Sequence, residues 1–163
     1  MDALGVTNGQ FIVKQDDTAL GDTITFEILS YQDSWLCAPG DDTADKELVK
    51  YSDDGITAKD GTDLREHLEA LKGMGFKNAA ISQRLTLVGG MVKCDKKPEL
   101  VDTPFQISLP PTSRVAFNRY MLTADFRIRK GLMSPEAAKT VKATVTLAKS
   151  GNNRFSVVNF SAA

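Results

Sequence analysis

The strongest constraint on this chain is the alternation of apolar and polar residues near its carboxyl end. Val141, Ala143 and Val145 alternate with lysine and threonine, and a second run, RFSVVNFS, begins at Arg154 after the segment SGNN. A period of two places every second side chain on the same face of an extended chain. Two such runs joined by a short Gly/Asn turn predict a β-hairpin.

Three further segments predict strands. Residues 23–31, TITFEILSY, place Ile24 and Phe26 on one face and polar side chains on the other, which is typical of a half-buried strand. Residues 84–93 alternate in the same way, and the pair Gly89–Gly90 inside them indicates a bulge or bend that curls the sheet. The segment PFQISLPP is a short strand that ends at its prolines.

A first helix is predicted after a long acidic loop. Residues 38–62 are crowded with Gly, Asp and Thr and read as a loop, with a short extended piece at residues 48–51. Asp63 is an N-cap with Glu66 three residues later, and leucines at helical spacing lead to Gly73. These signals predict a helix between Asp63 and Gly73.

A second, longer helix is predicted after the double proline. Thr112 or Ser113 can cap it, and it is expected to run to about Lys130, with Gly131 as its C-terminal glycine. Ser134 followed by proline then repeats the capping pattern for one short helical turn.

Length and composition favour one folded unit. A chain of 163 residues that is 42% hydrophobic can bury one sizeable core, so we expect a single OB-like domain covering residues 1–163. Six or so short strands with two substantial helices predict the α+β class, rich in strand. The bent strand favours a partly open barrel resembling an OB-fold, with helical insertions and a C-terminal β-hairpin.

The chain ends and the cysteines indicate a soluble, cytoplasmic protein. Neither end carries a leader pattern, and no uncharged run approaches the ~18 residues needed to span a bilayer. Cys37 and Cys94 lie far apart without CxxC spacing. Free thiols in a reducing compartment are therefore expected, with a single disulfide as the alternative.

The small net charge of −1 hides a strong asymmetry along the chain. Residues 1–69 carry 16 acidic against 5 basic side chains, whereas residues 70–163 carry 5 acidic against 15 basic ones. Such asymmetry indicates that one face attracts polyanions. The alternative is that the two halves interleave in space and neutralise each other on a mixed surface.

Catalytic and metal-binding signatures are weak. His67 is the only histidine and lies on the apolar stripe of the first helix, where a structural imidazole is commoner than a metal ligand. A calcium loop fails with either Gly55 or Gly61 at its sixth position. The pair Asp53–Asp54 fits a solvated turn better than a magnesium site. We therefore predict no enzyme, no catalytic residue, no metal and no cofactor.

The segment 108–131 interleaves arginines with large apolar side chains. On a helix, one apolar stripe contains Phe117, Tyr120, Met121, Ala124 and Ile128. A second stripe, nearly opposite, contains Val115, Leu122 and Phe126. A helix with two apolar stripes is either held between core layers or packs its second stripe on another subunit or ligand.

The same region can present cations to phosphates and rings to bases. Each neutralised phosphate adds a salt-dependent contribution, and a base stacked on an exposed ring adds ~1–3 kcal/mol regardless of sequence. The alternative for each ring is packing in the core. Trp35 is the ring for which binding is favoured most, because it is expected to lie where a strand meets the acidic loop. The candidate nucleic-acid-binding residues are Tyr31, Trp35, Arg114, Arg119, Tyr120, Arg127, Arg129, Lys130, Lys142, Arg154 and Phe155.

Two segments resemble the carboxyl-terminal part of small proteins of tailed bacteriophages, the OB-fold single-stranded-DNA-binding family. These are FQISLPPTSRVAFNRYM and GLMSPEAAKTVKATVTLAKSGNNRFSVVNF, and the loop WLCAPGDDTADKELVKYSDDG is similar to the family's loop that ends in Ser-Asp-Gly. The resemblance covers about half the chain and implies single-stranded DNA binding in phage replication or recombination. The family's cysteine clusters and acidic tail are missing here, so metal binding and tail-mediated recruitment of host enzymes are not carried over.

The expected function is therefore non-catalytic, largely sequence-independent binding of single-stranded DNA. Expected partners are this DNA and host or phage replication proteins, without a membrane, and a homo-oligomer is compatible with the second helical stripe. Three alternatives stay open: an acidic protein that imitates nucleic acid and inhibits a host factor, a virion structural or assembly protein, and a magnesium-dependent nucleic-acid enzyme. The enzyme would use Asp53, Asp54 and Asp60.

Overall fold

The computed structural model describes residues 1–41 and 43–163. The chain is α+β and rich in strand, with 47% of residues in strands and 25% in helices, as its sequence predicts. It divides into two compact units. Unit 1 comprises residues 1–31 and 86–163, and unit 2 comprises residues 32–85.

The described residues form nine strands. They are β1 (Asp2–Thr7), β2 (Gln10–Val13), β3 (Thr18–Gly21), β4 (Thr23–Ala38), β5 (Lys50–Ser52), β6 (Ala80–Lys93), β7 (Pro104–Leu109), β8 (Thr140–Ser150) and β9 (Asn153–Ala162). The order in the sheet is β3-β2-β1-β7-β6-β4-β8-β9, with β5 paired to β4. In unit 1 this sheet is strongly curled and open, a half-barrel compatible with the expected OB-like fold.

Gly89 allows two aromatic rings to meet inside the curled sheet. The rings of Phe26 and Phe105 pack edge to face with their centroids 5.2 Å apart. A Cβ on Gly89 would lie 2.7 Å from a ring carbon of each, so only glycine fits without moving them. The apolar interior around these rings includes Phe11, Ile24, Leu87, Ile107, Leu109, Ala143 and Val158.

The C-terminal hairpin is confirmed, and its strands extend beyond the alternating residues that predict it. β8 and β9 pair antiparallel from Val141↔Ala162 to Ser150↔Asn153. The two-residue turn between them contains Gly151, whose φ of +61° belongs to the left-handed region that glycine tolerates. Within the described strands β9 pairs only with β8, so β9 forms one edge of the sheet.

Three N-terminal strands are not predicted by the patterns above. β1 and β2 form a hairpin whose two-residue turn, Asn8–Gly9, has positive φ at both positions, the geometry that twisted hairpins favour. β1 also pairs in parallel with β7, with Asp2 opposite Phe105. That partner lies far away in the sequence, so no local pattern identifies it.

Three helices are present in the described residues: α1 (Leu64–Gly73), α2 (Pro111–Arg129) and α3 (Pro135–Lys139). Asp63 caps α1 as expected, because its carboxylate accepts the Glu66 N–H at 3.0 Å. Ser134 caps α3 in the same way. None of these helices is long and apolar enough to cross a lipid bilayer.

The predicted cap of α2 is wrong. Pro110 precedes the helix, and proline has no side chain that can accept a hydrogen bond. Ser113 lies inside the first turn, fully buried, and its hydroxyl accepts the N–H of Val158 at 3.0 Å. The serine thus joins α2 to strand β9 instead of capping the helix.

Unit 2 packs α1 against the end of β4 around its own small core. Its buried apolar side chains are Cys37, Ala58, Leu64, Leu71 and Ala79. The predicted acidic loop contains a 3₁₀ turn, Lys46–Leu48, followed by β5, so the extended piece lies slightly later than expected. Both cysteines of the chain are buried free thiols, and burial raises the pKa of the Cys37 thiol.

Candidate functional site

Helix α2 has one buried face and one exposed face. Phe117, Tyr120 and Ala124 are buried, and the Phe117 ring lies edge-on between Tyr31 and Phe160, with centroid distances of 5.2 and 5.3 Å. The second stripe is exposed: Val115 at 52%, Leu122 at 73% and Phe126 at 58%. The two-stripe pattern is confirmed, and α2 is not held between two core layers.

A groove of about 330 Å³ runs between α2 and the edge strand β9. We call it the α2–β9 groove. Its helix wall consists of Ala116, Arg119, Tyr120, Thr123, Ala124 and Arg127, and its strand wall of residues 159–162, with Met133 at one end. The small side chains Ala116, Thr123 and Ala124 leave the space that larger residues at those positions would fill.

The strand wall presents backbone as well as side chains. Because the Val158 N–H bonds to Ser113 on α2, it points away from β8. Backbone direction alternates along a strand, so the N–H and C=O groups of Phe160 and Ala162 also point away from β8, towards the groove. The groove therefore combines a polar edge with an apolar floor.

Two arginines give this groove its charge. Arg119 and Arg127 are exposed on the same wall, and eight residues of helix separate them by about 12 Å along the axis. Neither guanidinium forms a salt bridge with a carboxylate of residues 1–41 or 43–163. Lys142 adds a third exposed cation, since it lies opposite Ser161 of the strand wall in the β8–β9 register.

The other cations predicted on α2 lie elsewhere. Arg129 is held by Asp125 one turn earlier, with a separation of 3.1 Å. The Lys130 ammonium lies 5.6 Å from the centre of the exposed Phe126 ring. Arg114 is half-buried in the first turn of the helix. The structure therefore brings Arg119 and Arg127 to the groove, whereas Arg129 and Lys130 are not among its lining residues.

Two of the predicted stacking rings are engaged in packing. Tyr120 lines the groove but is nearly covered, and its hydroxyl donates to the Ala138 carbonyl at 2.7 Å; burial raises the pKa of this phenol. Trp35 lies inside β4, within unit 2, and not beyond a strand end as expected. A Cβ on Gly55 would lie 3.0 Å from the indole, so this turn lies directly on the ring.

Arg154 and Phe155 lie at the far end of the hairpin. Arg154 is directly opposite Lys149, and two like charges in that position repel each other unless an anion lies between them. Phe155 is exposed beside them. Seven residue pairs separate this end from Lys142, a distance of about 24 Å.

A second groove, of about 480 Å³, lies on the opposite flank of α2. We call it the apolar groove. Tyr31 lines it and is half exposed. Its other lining residues are Ile28, Leu29, Ser30, Met121, Ile128, Pro135, Ala138 and Lys139.

The acidic loop of unit 2 forms ion pairs and turns. Asp60 bonds to Lys50, which lowers the pKa of that carboxyl group. Asp53 lies 3.8 Å from Lys59. Asp54 accepts the backbone N–H groups of Thr57 and Ile56, and these bonds lower its pKa. No group of three or more potential metal-ligating side chains occurs among the residues that the structure describes.

His67 has a structural position. It is buried on α1, and its Nε2 atom bonds to the Leu48 carbonyl oxygen at 2.6 Å. This bond joins the helix to the 3₁₀ turn of the acidic loop, as expected for a structural imidazole.

Several groove residues are not among the predicted site residues. Thr123, Met133 and Phe160 belong to this class, together with Asn159 and Ser161. Their only local signal is their position on α2 and on the edge strand, because the pairing of helix with strand is long-range. Comparison of the chain with known protein families, with curated proteins and with solved structures gives no match.

Proposed function

We propose that this protein binds single-stranded DNA without catalysis, and that the α2–β9 groove holds the strand. The observation that carries the proposal is the pair Arg119 and Arg127 along one wall of an open groove, two cations without a salt bridge to any carboxylate in the described part of the chain. A role in phage replication or recombination follows from the sequence resemblance and is part of the same proposal.

The cations provide the affinity in this scheme. Arg119, Arg127 and Lys142 each contact one phosphate, and guanidinium planes also provide a surface on which bases stack. The exposed backbone edge at Phe160 and Ala162 offers donors and acceptors to any base. Because phosphates and π faces are common to all nucleotides, binding is largely independent of sequence.

The number of phosphate contacts sets the salt dependence. Each contact with a single strand contributes about 0.7 to the slope of log K against log salt, so three contacts give a slope of about −2. A fourfold rise in salt then lowers the affinity about 20-fold. A protein that binds through apolar contacts alone would show no such loss.

Anisotropy of a dye-labelled oligo-dT, titrated with the wild-type protein at several salt concentrations, tests the proposal. We expect binding at low salt, the slope given above, and weaker binding to a duplex of equal length. Oligo-dA should bind within a few-fold of oligo-dT. Absence of binding at the lowest salt, or tighter binding to the duplex, would overturn the proposal.

A further inference from the structure

The outward face of α2 is apolar and exposed. Val115, Leu122 and Phe126 lie within about 40° of one another around the helix axis, and each exposes more than half of its side chain. We call these three residues the α2 stripe. Leu122 and Phe126 are neighbours one turn apart, and the exposed Arg119 lies on the same side of the helix between Val115 and Leu122. An exposed apolar surface rimmed by polar residues is typical of an interaction site.

The same unit carries a concave surface of matching chemistry. The apolar groove is bounded by β4, α2 and α3, and Leu29, Met121 and Ile128 provide much of its lining. Leu29 is itself 54% exposed. Each copy of the chain therefore offers one apolar ridge and one apolar groove.

Charges beside these two surfaces are complementary. Arg129 and Lys130 flank the α2 stripe, and Asp125 offsets one of them. Beside the apolar groove, Glu136 is exposed and pairs with Lys139, and the exposed Glu27 lies opposite Thr140, which follows Lys139 in the chain. Glu136 and the lining residue Lys139 offset each other, so Glu27 gives the groove its net negative charge. Beside the ridge, Arg119, Arg129 and Lys130 outnumber Asp125, so the ridge is flanked by net positive charge.

We propose that the α2 stripe of one copy inserts into the apolar groove of a second copy. Packing of stripe against stripe across a two-fold axis would place the cations of both copies side by side, which costs free energy. Insertion into the groove instead brings the cations of one copy to Glu27 of the other. This inference does not depend on nucleic acid and goes beyond the proposed function.

The contact is heterologous, so it leaves one stripe and one groove free at the ends of every open assembly. Such contacts form open chains unless their rotation closes a ring. The expected product is therefore a concentration-dependent series of species and not a single closed dimer.

Sedimentation velocity of the nuclease-treated wild-type protein over a range of concentrations is the first measurement. We expect the weight-average mass to rise beyond that of a dimer. Phe126→Glu removes the ridge and Leu29→Glu blocks the groove; both side chains are exposed, so circular dichroism should show an unchanged fold. Each variant alone should remain monomeric. Val92→Glu, at another exposed apolar position, should associate like the wild type.

Mixing the two variants is the decisive step. The Phe126→Glu chain keeps its groove and the Leu29→Glu chain keeps its stripe, so a 1:1 mixture should form heterodimers and stop there. A wild-type protein that stays monomeric, a Leu29→Glu variant that associates like the wild type, or a mixture that stays monomeric would each overturn the proposal. The monomeric Leu29→Glu variant carries its change in the groove on the opposite flank of α2 from Arg119 and Arg127, so oligo-dT binding by it tests the proposed function separately.

Discussion

Adjacent glycines in β6 provide a matched pair of substitutions with opposite expected results. At Gly89 a new Cβ would lie 2.7 Å from ring carbons of both Phe26 and Phe105, far inside the 3.5–4.0 Å or so of a normal carbon contact. At Gly90 the nearest atom is a methyl carbon of Leu29 at 3.8 Å. Neither glycine has a positive φ, so alanine suits both backbones.

The magnitudes follow from this geometry. Gly89→Ala forces two buried rings apart by about 1 Å, and overpacking of this type costs about 1–3 kcal/mol. We expect a value in the upper half of that range because both rings are fully enclosed. Gly90→Ala meets no clash and restricts the unfolded chain, so it should be neutral or stabilise by up to about 1 kcal/mol.

Urea unfolding followed by far-ultraviolet circular dichroism measures the difference. The free energy of unfolding should be about 2–4 kcal/mol lower for Gly89→Ala than for Gly90→Ala, and for a chain of this size the melting temperatures should differ by about 4–16 °C. Equal stability of the two variants would show that the packing of the rings around Gly89 is not as described.

Two further substitutions test how α2 is held. Ser113→Ala leaves the buried N–H of Val158 without its acceptor, which should lower the free energy of unfolding by about 1–3 kcal/mol in a urea titration; a loss no larger than that of an exposed serine substitution would contradict this role. Tyr120→Phe removes the bond to Ala138 and should cost about 1 kcal/mol at neutral pH. Because burial raises the Tyr120 pKa, its contribution is present below the unfolded pKa of about 10 and is lost as pH rises through the folded pKa. The Tyr120→Phe protein should therefore lose less stability than wild type as pH rises above about 10, and parallel curves would refute the assignment.

Elements with local signals could be predicted from the sequence. The alternation in β8 concerns neighbouring residues, and the caps Asp63 and Ser134 bond to N–H groups only three residues later. The hairpin, α1 and α3 can therefore be predicted directly. The Asn8–Gly9 turn is also a local hairpin signal, and applying the same rule there identifies β1 and β2.

Long-range partners explain the rest. Ser113 has the residue type and position of a cap, but its hydroxyl accepts a backbone N–H from 45 residues away. Tyr120 is an aromatic ring on a helix rich in cations, yet in the structure it is buried and its hydroxyl donates to the Ala138 carbonyl. Charge alone likewise does not distinguish Arg127, which is exposed in the groove, from Arg129, which Asp125 holds.

That distinction permits the most direct measurement of the central claim, that the α2–β9 groove binds single-stranded DNA. Arg119→Gln combined with Arg127→Gln removes two phosphate contacts. The control, Arg129→Gln, also removes one positive charge per substituted residue, but it does so at a position of the same helix that does not line the groove. In oligo-dT anisotropy titrations at several salt concentrations, the double variant should bind more weakly and lose about 1.4 from the salt slope. The Arg129→Gln protein should match the wild type. Wild-type affinity and slope in the double variant would contradict the account.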